Sequence, residues 1–425
     1  MRSAEYACTS PVHNLTRRAF LGSSALGLSA AFGTSVAGRQ LASAQKRVIV
    51  IFLSGGVSQL ETWDPKPKTD TGGPFRAIPT SVPGTHICEL LPHTAKQMHR
   101  LALIRGINTA EDEHGRGATI MLTGRRPEAG IEYPHFGAVA AKLLGTENQA
   151  LPGHVQILPT GGGGFSKQDA AFLGPKYASV SLGNGKPPAD IFRPGTLTED
   201  ADRTREAFRK KLNDRFTQSR RSASTDAYTE SFDQAERVFR KADAFAVEKE
   251  NPKVAEKYGK HDFGRHLLLA RRLLESGVTY VKVSHSNYDT HHENFDFHIE
   301  QLGEFDQPFA ALLADLADRG MLESTLVVVM SEFGRTPHIN DRYGRDHWSK
   351  AWSIALGGCG IKGGAVVGKT NANGTAVTDR EVHGGHLFHT YLRAVNLNPN
   401  KNFYPNERPI PIADPKADAV SEVLA

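Results

Sequence analysis

Val48-Ile49-Val50-Ile51-Phe52-Leu53-Ser54-Gly55-Gly56 decides the fold of this 425-residue chain. Six apolar residues follow one another without alternation, and the first four are β-branched. Such a run suits a strand covered on both faces, and Ser54-Gly55-Gly56 closes it in a tight loop. In an open parallel sheet, loops at strand ends of this kind bind ligands. Working outward, residues 101–105 read as a second buried strand. Residues 119–122 read as helix closed by Thr123-Gly124, and residues 133–144 as helix with Pro134 near its first turn and Gly145 at its end. Asp262 is placed to N-cap a helix over 263–276, with Leu267, Leu268, Leu273 and Leu274 at helical spacing and Gly277 as the stop. A strand over 278–283 follows, then a long helix carrying Leu302, Phe305, Phe309, Leu312, Leu313 and Leu316 up to Gly320, then a strand over 325–330. Alternating helix and strand predicts an α/β domain built on a parallel sheet with crossover helices.

The ends and the middle read differently. Residues 1–44 combine Arg17-Arg18-Ala19-Phe20-Leu21, a mild apolar stretch over 19–37, and the small-x-small site Ala42-Ser43-Ala44. That pattern predicts a twin-arginine signal peptide cleaved before Gln45. Gly22, Ser23, Ser24, Gly27 and Ser29 dilute the apolar stretch below the ~20 strongly apolar residues of a spanning helix. The reading implies passage through the twin-arginine translocase and a periplasmic or secreted product, residues 45–425, forming a single domain. Within it, residues 145–260 are loop-rich, then polar with helical stretches near 198–218 and 231–249, and read as an insertion or lid. Gly161 to Gly164 lack the Lys and Ser/Thr of a phosphate-binding loop, so they read as plain loop.

Net charge is +5, and residues 1–44 hold four Arg (Arg2, Arg17, Arg18, Arg39) against Glu5. What remains is close to neutral and argues against a nucleic-acid partner. Cys88 and Cys359 are far apart and show no metal-type spacing; a disulfide and two buried thiols are both open.

Polar groups gather after the expected strands. Ser54, Ser58, Glu61 and Asp64 follow the first; Asp112, Glu113 and His114 the second. His285, Asp289, His291 and His292 follow the third, and Glu332, Arg335, His338, Asp341, Asp346 and His347 the fourth. Carboxylate mixed with imidazole suits zinc, manganese or iron better than calcium. Each piece has a plainer alternative. Asp289-Thr290-His291 can be a metal-ligating pair or a capped turn. Glu332 can be a ligand or the partner of Arg335 or Arg345. Asp346-His347 can ligate or lock a loop. Glu61 and Asp64 are better read as pinning the loop over Gly55-Gly56, and His383, His386 and His389 as surface histidines.

Ser54-Gly55-Gly56-Val57-Ser58-Gln59, Asp64-Pro65-Lys66, His114-Gly115 through Met121-Leu122-Thr123-Gly124, Asp289-Thr290-His291 with Asn294-Phe295, Ser331-Glu332-Phe333-Gly334-Arg335-Thr336-Pro337 and Gly344-Arg345-Asp346-His347-Trp348 together resemble the domain-of-unknown-function family 1501. The resemblance spans residues 46–415. That family looks like a twin-arginine-exported branch of the alkaline phosphatase and sulfatase superfamily. The resemblance implies an alkaline phosphatase-like three-layer α/β/α fold with a mostly parallel central sheet. It also implies a divalent metal, zinc or manganese, on Asp289, His291, Glu332 and His347. His114 stands where sulfatases carry the nucleophile, Arg116 where they carry Pro, and Ala118 where they carry Arg. The first strand ends in Gly55-Gly56 where the superfamily places a metal-binding Asp. The His114 imidazole, at the nucleophile position, can act as general base, attack phosphorus or bind metal.

Two functions follow from this reading. The first is a metal-dependent hydrolase of phosphate or sulfate esters, acting on an anionic ester such as a sulfated or phosphorylated glycan. In it His114 serves catalysis and Arg335, Arg345 or Arg116 steady the anion. The second is a non-catalytic relative that binds an anionic glycan or a partner protein.

Overall fold

The computed structural model describes residues 45–425 apart from 147–148, 150, 158–168, 186–193, 220–228, 231, 235 and 238–240. The expected signal peptide and the Gly161 to Gly164 loop lie outside the described residues. Gln45–Ala425 forms one compact unit. Eight strands make the central sheet: β1 (Arg47–Leu53), β2 (Leu101–Ile107), β3 (His154–Ile157), β4 (Val180–Ser181), β5 (Tyr280–His285), β6 (Thr325–Met330), β7 (Trp352–Gly358) and β8 (Val366–Val367). Their spatial order is β8-β2-β7-β6-β1-β5-β3-β4. β1 pairs in parallel with both β5 and β6, whereas β7 runs antiparallel to β6 and β2. The sheet is therefore mostly parallel, as expected, with one reversed strand that local apolar content could not reveal.

Strand β1 is buried throughout, and its side chains alternate between two cores. Ile49, Ile51 and Leu53 pack with Leu267 and Leu273 of α4 (Asp262–Glu275) and with Phe305 and Leu312 of α5 (Asn294–Asp318). Val48, Val50 and Phe52 pack with Met121 of α1 (His114–Thr123), Val139 of α2 (Phe136–Leu144) and Leu387 and Tyr391 of α6 (Gly384–Ala394). Two helical layers thus sandwich the sheet. An uninterrupted apolar strand needs two cores, because successive side chains leave on opposite faces.

Several boundaries moved for identifiable reasons. α1 begins at His114, five residues before its expected start, because the Glu113 carboxylate accepts from the N–H groups of Gly115 and Arg116 at 2.9 and 2.8 Å. His261 rather than Asp262 is the N-cap of α4. The span read as an insertion supplies β3 and β4 to the sheet edge before its own helix α3 (Glu199–Ser219) begins. The helix expected near 231–249 gives way, from residue 242, to the short 3-10 turns Ala242–Phe245 and Val247–Lys249. Cys88 and Cys359 are buried free thiols. His389 is 3% exposed and donates to the Asp414 carbonyl, so it is not a surface histidine; His383 and His386 form the capping box of α6.

Candidate metal centre

The sheet delivers four segments to its C-terminal rim. β1 ends in Gly55-Gly56, β5 leads to Asp289 and His291, β6 leads to Glu332 and Arg335, and α1 presents His114 from its first turn. A short antiparallel ribbon pairs Gly334–Arg335 with His347–Trp348, setting His347 opposite Arg335. Gln59 locks the ribbon from below: its amide donates to the Arg335 carbonyl at 2.8 Å and accepts from the Arg335 N–H at 3.0 Å.

Gly55-Gly56 is a steric requirement. Gly55 has φ +114°, and a Cβ there would lie 2.5 Å from the Asp289 backbone nitrogen. Gly56 has φ +80°, and a Cβ would strike the Phe333 ring at 2.5 Å. Where the superfamily resemblance places a metal-binding Asp, this chain brings another loop into backbone contact. Gly55→Ala is expected to cost about 1–3 kcal/mol in strain and to push Asp289 outward. Chemical denaturation and metal affinity both read this out. Unchanged values in both would show that the contact is not needed.

Three imidazoles are held in one tautomer and turned one way. His114 Nδ1 lies 2.8 Å from Glu332 Oε1, His291 Nδ1 2.7 Å from Asp346 Oδ1, and His347 Nδ1 2.7 Å from the Asp112 carbonyl. All three partners are acceptors, so each Nδ1 carries a proton, and the lone pair of a ring in its neutral form lies on Nε2. Those Nε2 atoms face the Asp289 carboxylate. His291 and His347 Nε2 are 3.1 and 3.2 Å from Oδ1, and His114 Nε2 is 3.4 Å from Oδ2. The Nε2 atoms of His291 and His347 stand 3.0 Å apart. Ligand atoms around a tetrahedral zinc at ~2.0–2.1 Å lie about 3.3 Å from one another, close to these separations. His114, Asp289 and His347 also each offer a ligand atom within 4.8 Å of the others. Acceptors behind ligating histidines are the usual device for orienting such rings.

Of the residues expected as metal ligands, Asp289, His291 and His347 converge. Glu332 stands behind them: it is 3% exposed, accepts from the Gly55 N–H at 2.9 Å and orients His114. Arg335 is fully buried, and its guanidinium donates to Asp289 Oδ1 at 2.5 Å and to the carbonyls of Gly55, Gly56 and Arg345. Arg345 takes a different role from the one expected. It is ion-paired at 2.9 Å with Glu61, both side chains have no exposure, and it also donates to the carbonyls of Thr71, Thr336 and Pro337. It ties the first loop to the ribbon and presents no exposed surface to an anion. Arg116, at the start of α1, keeps its side chain 63% exposed. Asp112 was legible only as a polar neighbour and Asp346 as a ligand or a loop lock beside His347; that Asp346 instead anchors His291 depends on which ring the fold brings to it.

Electrostatics follow these contacts. Burial works to raise the Asp289 carboxyl, but Arg335, His347 and His114 outweigh it and hold it at about 2. The hydrogen bond to Glu332 raises His114 above its ordinary value, against partial burial. A raised imidazole stabilises the fold below its unfolded value of ~6.5, and that contribution is lost as pH rises through the folded value. Chelator-treated protein is therefore expected to melt lower at pH 8 than at pH 6 through this group. Metal uptake, which needs the neutral ring, should strengthen over the same interval. His114→Asn should flatten the stability trend, and a variant with an unchanged trend would exclude His114 as its source.

Fold and cluster together define an α/β protein with a candidate metal centre at the C-terminal rim of its sheet. The chain belongs to the family described as Protein of unknown function (DUF1501), which matches residues 45–424. No curated protein matches it at a significant level. Among solved structures it is similar to the lipoteichoic acid synthase LtaP from Listeria monocytogenes, at 8% identity, 83% and 72% coverage of the two chains and a TM-score of 0.38. It is similar to the PsFucS1 sulfatase from Pseudoalteromonas sp. at 12% identity, 84% and 70% coverage and 0.38. It is also similar to alkaline phosphatase from the Antarctic bacterium TAB5 at 14% identity, 83% and 99% coverage and 0.35. These superpositions are long but loose, and no residue of this chain takes its role from them.

Proposed function

We propose that this protein is an exported, metal-dependent hydrolase of phosphate or sulfate esters, delivered to the periplasm or beyond by the twin-arginine pattern of residues 1–44. The observation that carries the reading is the convergence of three Nδ1-anchored imidazoles on one half-exposed carboxylate. In their neutral form the three rings turn three lone pairs toward Asp289, an arrangement suited to a shared cation. Asp289, His291 and His347, with His114 as the fourth donor, match the nitrogen and oxygen preferences of zinc or manganese. An ion bound there supplies Lewis acidity to an ester oxygen and to water. The chain's own side chains do the rest. Glu332 fixes His114 with its Nε2 turned toward the shared ion, Arg335 keeps Asp289 ionised and in place, and exposed Arg116 can meet the anionic oxygens of the ester. A sulfated or phosphorylated glycan fits such a site as substrate.

One observation favours a second reading. Arg335 already neutralises Asp289 Oδ1, so the cluster is also consistent with a polar network in a non-catalytic protein that binds an anionic glycan or a protein partner. Metal analysis of the purified protein, combined with turnover of aryl phosphate and aryl sulfate, separates the two. Stoichiometric metal with turnover of either ester is expected. Metal-free protein without turnover after zinc and manganese loading would remove the hydrolase reading.

A further inference from the structure

A cavity of about 520 Å³ opens between the loop that leaves β2, the C-terminal end of α1 and the first turn of α6. Small-ligand sites span ~300–1,000 Å³. Gly384 lets α6 approach α1 here, since a Cβ would stand 2.5 Å from the Ile120 side chain. The β2 loop joins this cavity to the candidate centre. Thr109 and Ala110 line the cavity, and two residues further on the Asp112 carbonyl holds His347. Between them Glu111 reaches Arg126 on the cavity wall at 3.8 Å and Arg116 beside the centre at 4.0 Å.

The wall carries Arg125, Arg126 and Lys416 together with Glu128, Glu381 and Asp414. Among the described residues, no ion pair joins any of these cations to any of these carboxylates. The arginines turn to carbonyls instead: Arg125 to those of Pro411 and Ala413, Arg126 to that of Thr109. Each carboxylate commits one oxygen to the protein. Glu381 Oε2 accepts from the Asn108 amide at 3.0 Å, Glu128 Oε2 from the Tyr133 hydroxyl at 3.2 Å, and Asp414 Oδ1 from the Lys416 N–H at 3.0 Å. The second oxygen of each makes no hydrogen bond among the described residues. Two more polar atoms are buried without a partner in this wall: Oγ1 of Thr109, a residue 3% exposed, and Nε of Arg125. Buried polar groups left in this way call for a ligand or bound water. His383 adds a donor. Its Nδ1 accepts from the Gly385 N–H at 3.1 Å, and burial holds the ring below its ordinary value, so the proton of the neutral ring sits on Nε2.

We infer that this cavity binds a neutral sugar unit, whose hydroxyls bridge the free carboxylate oxygens to Thr109 Oγ1 and to the unpaired cations. The interleaving of the charges selects this occupant. Arg126 stands two residues from Glu128, Asp414 two from Lys416, and Glu381 two from His383. A zwitterion wants one acidic and one basic pole, and an anion would meet three carboxylates. A hydroxyl donates and accepts at once, so it satisfies neighbours of both signs without adding charge. Ile120 and Pro415 offer apolar wall to the C–H face of a sugar ring. That the sugar is a unit of the ester substrate rests on the hydrolase reading; that it binds does not.

The test is therefore run without metal and without turnover. The chelator-treated full chain is screened by saturation-transfer NMR against neutral disaccharides of glucose, galactose, mannose and N-acetylglucosamine, with a sulfated disaccharide and glycine beside them. Binders are then titrated by calorimetry. At least one neutral disaccharide is expected to bind, with an affinity that salt leaves unchanged, because screening acts on charges. Thr109→Val keeps the shape of the side chain and removes its hydroxyl. It should weaken binding about 2–10-fold, the net value of one hydrogen bond, and Lys416→Ala about 10-fold, because a charged donor contributes more. Neither side chain makes a hydrogen bond or ion pair among the described residues, so the melting of both variants should match the parent. No transfer from any of the four neutral disaccharides, or unchanged affinity in both variants, would overturn the proposal. Binding confined to the sulfated disaccharide or to glycine, and lost in salt, would overturn it too. Metal-free, inactive protein that still binds sugar would sink the hydrolase reading alone.

Discussion

Asp289→Ala is expected to empty the metal centre and to lower ester turnover by about 10³-fold or more. All three Nε2 atoms face this one carboxylate, so its removal takes away the anionic donor that the three rings share. Lewis-acid stabilisation by a bound ion contributes several kcal/mol to such reactions, and ~1.4 kcal/mol is a factor of ten in rate. Stability should change far less. Asp289 is half exposed, and Arg335 keeps its bonds to the carbonyls of Gly55, Gly56 and Arg345. The variant should therefore remain folded while metal content, measured by mass spectrometry, falls to background. Equal metal content in Asp289→Ala and the parent protein would move the binding site elsewhere and end the hydrolase proposal in its present form.

The second large effect is on stability. Arg345→Ala should cost about 3–5 kcal/mol, the usual consequence of leaving a buried charge without its partner. Glu61 is fully buried. Burial works to raise its carboxyl, yet Arg345 and then His298 hold it below the ordinary range. Removing Arg345 also orphans the carbonyls of Thr71, Thr336 and Pro337, which it now serves. The loss falls on the joint between the loop after β1 and the ribbon that carries His347, so metal affinity should drop together with stability. Urea denaturation of Arg345→Ala, Glu61→Gln and the double variant forms a cycle. A cost near zero for Arg345→Ala would mean that the pair contributes nothing beyond what water supplies.

Much of the architecture was legible because the signals are local. The apolar runs at 48–53, 101–105 and 325–330 became β1, β2 and β6, and the leucine spacing after 262 became α4. The pinning role of Glu61 and Asp64 also held: Glu61 meets Arg345, and Asp64 accepts from Lys66 and Thr370. The helical start at His114 was missed because His114-Gly115-Arg116-Gly117 has weak helix propensity, and only the Glu113 cap offsets it. The reversed strand β7 was missed because direction is decided by the sheet neighbours, not by the composition of the strand.

The sequence by itself determined that the chain builds a buried parallel sheet and that acids and histidines follow its strands. Both properties are written in runs of adjacent residues, where burial and turn chemistry act locally. Only the tertiary structure decided which acid orients which imidazole. Glu332 is 218 residues from His114, and the Asp112 carbonyl is 235 residues from His347. The proton on each ring, and with it the direction in which the free nitrogen looks, is fixed by the acceptor that the fold brings beside it.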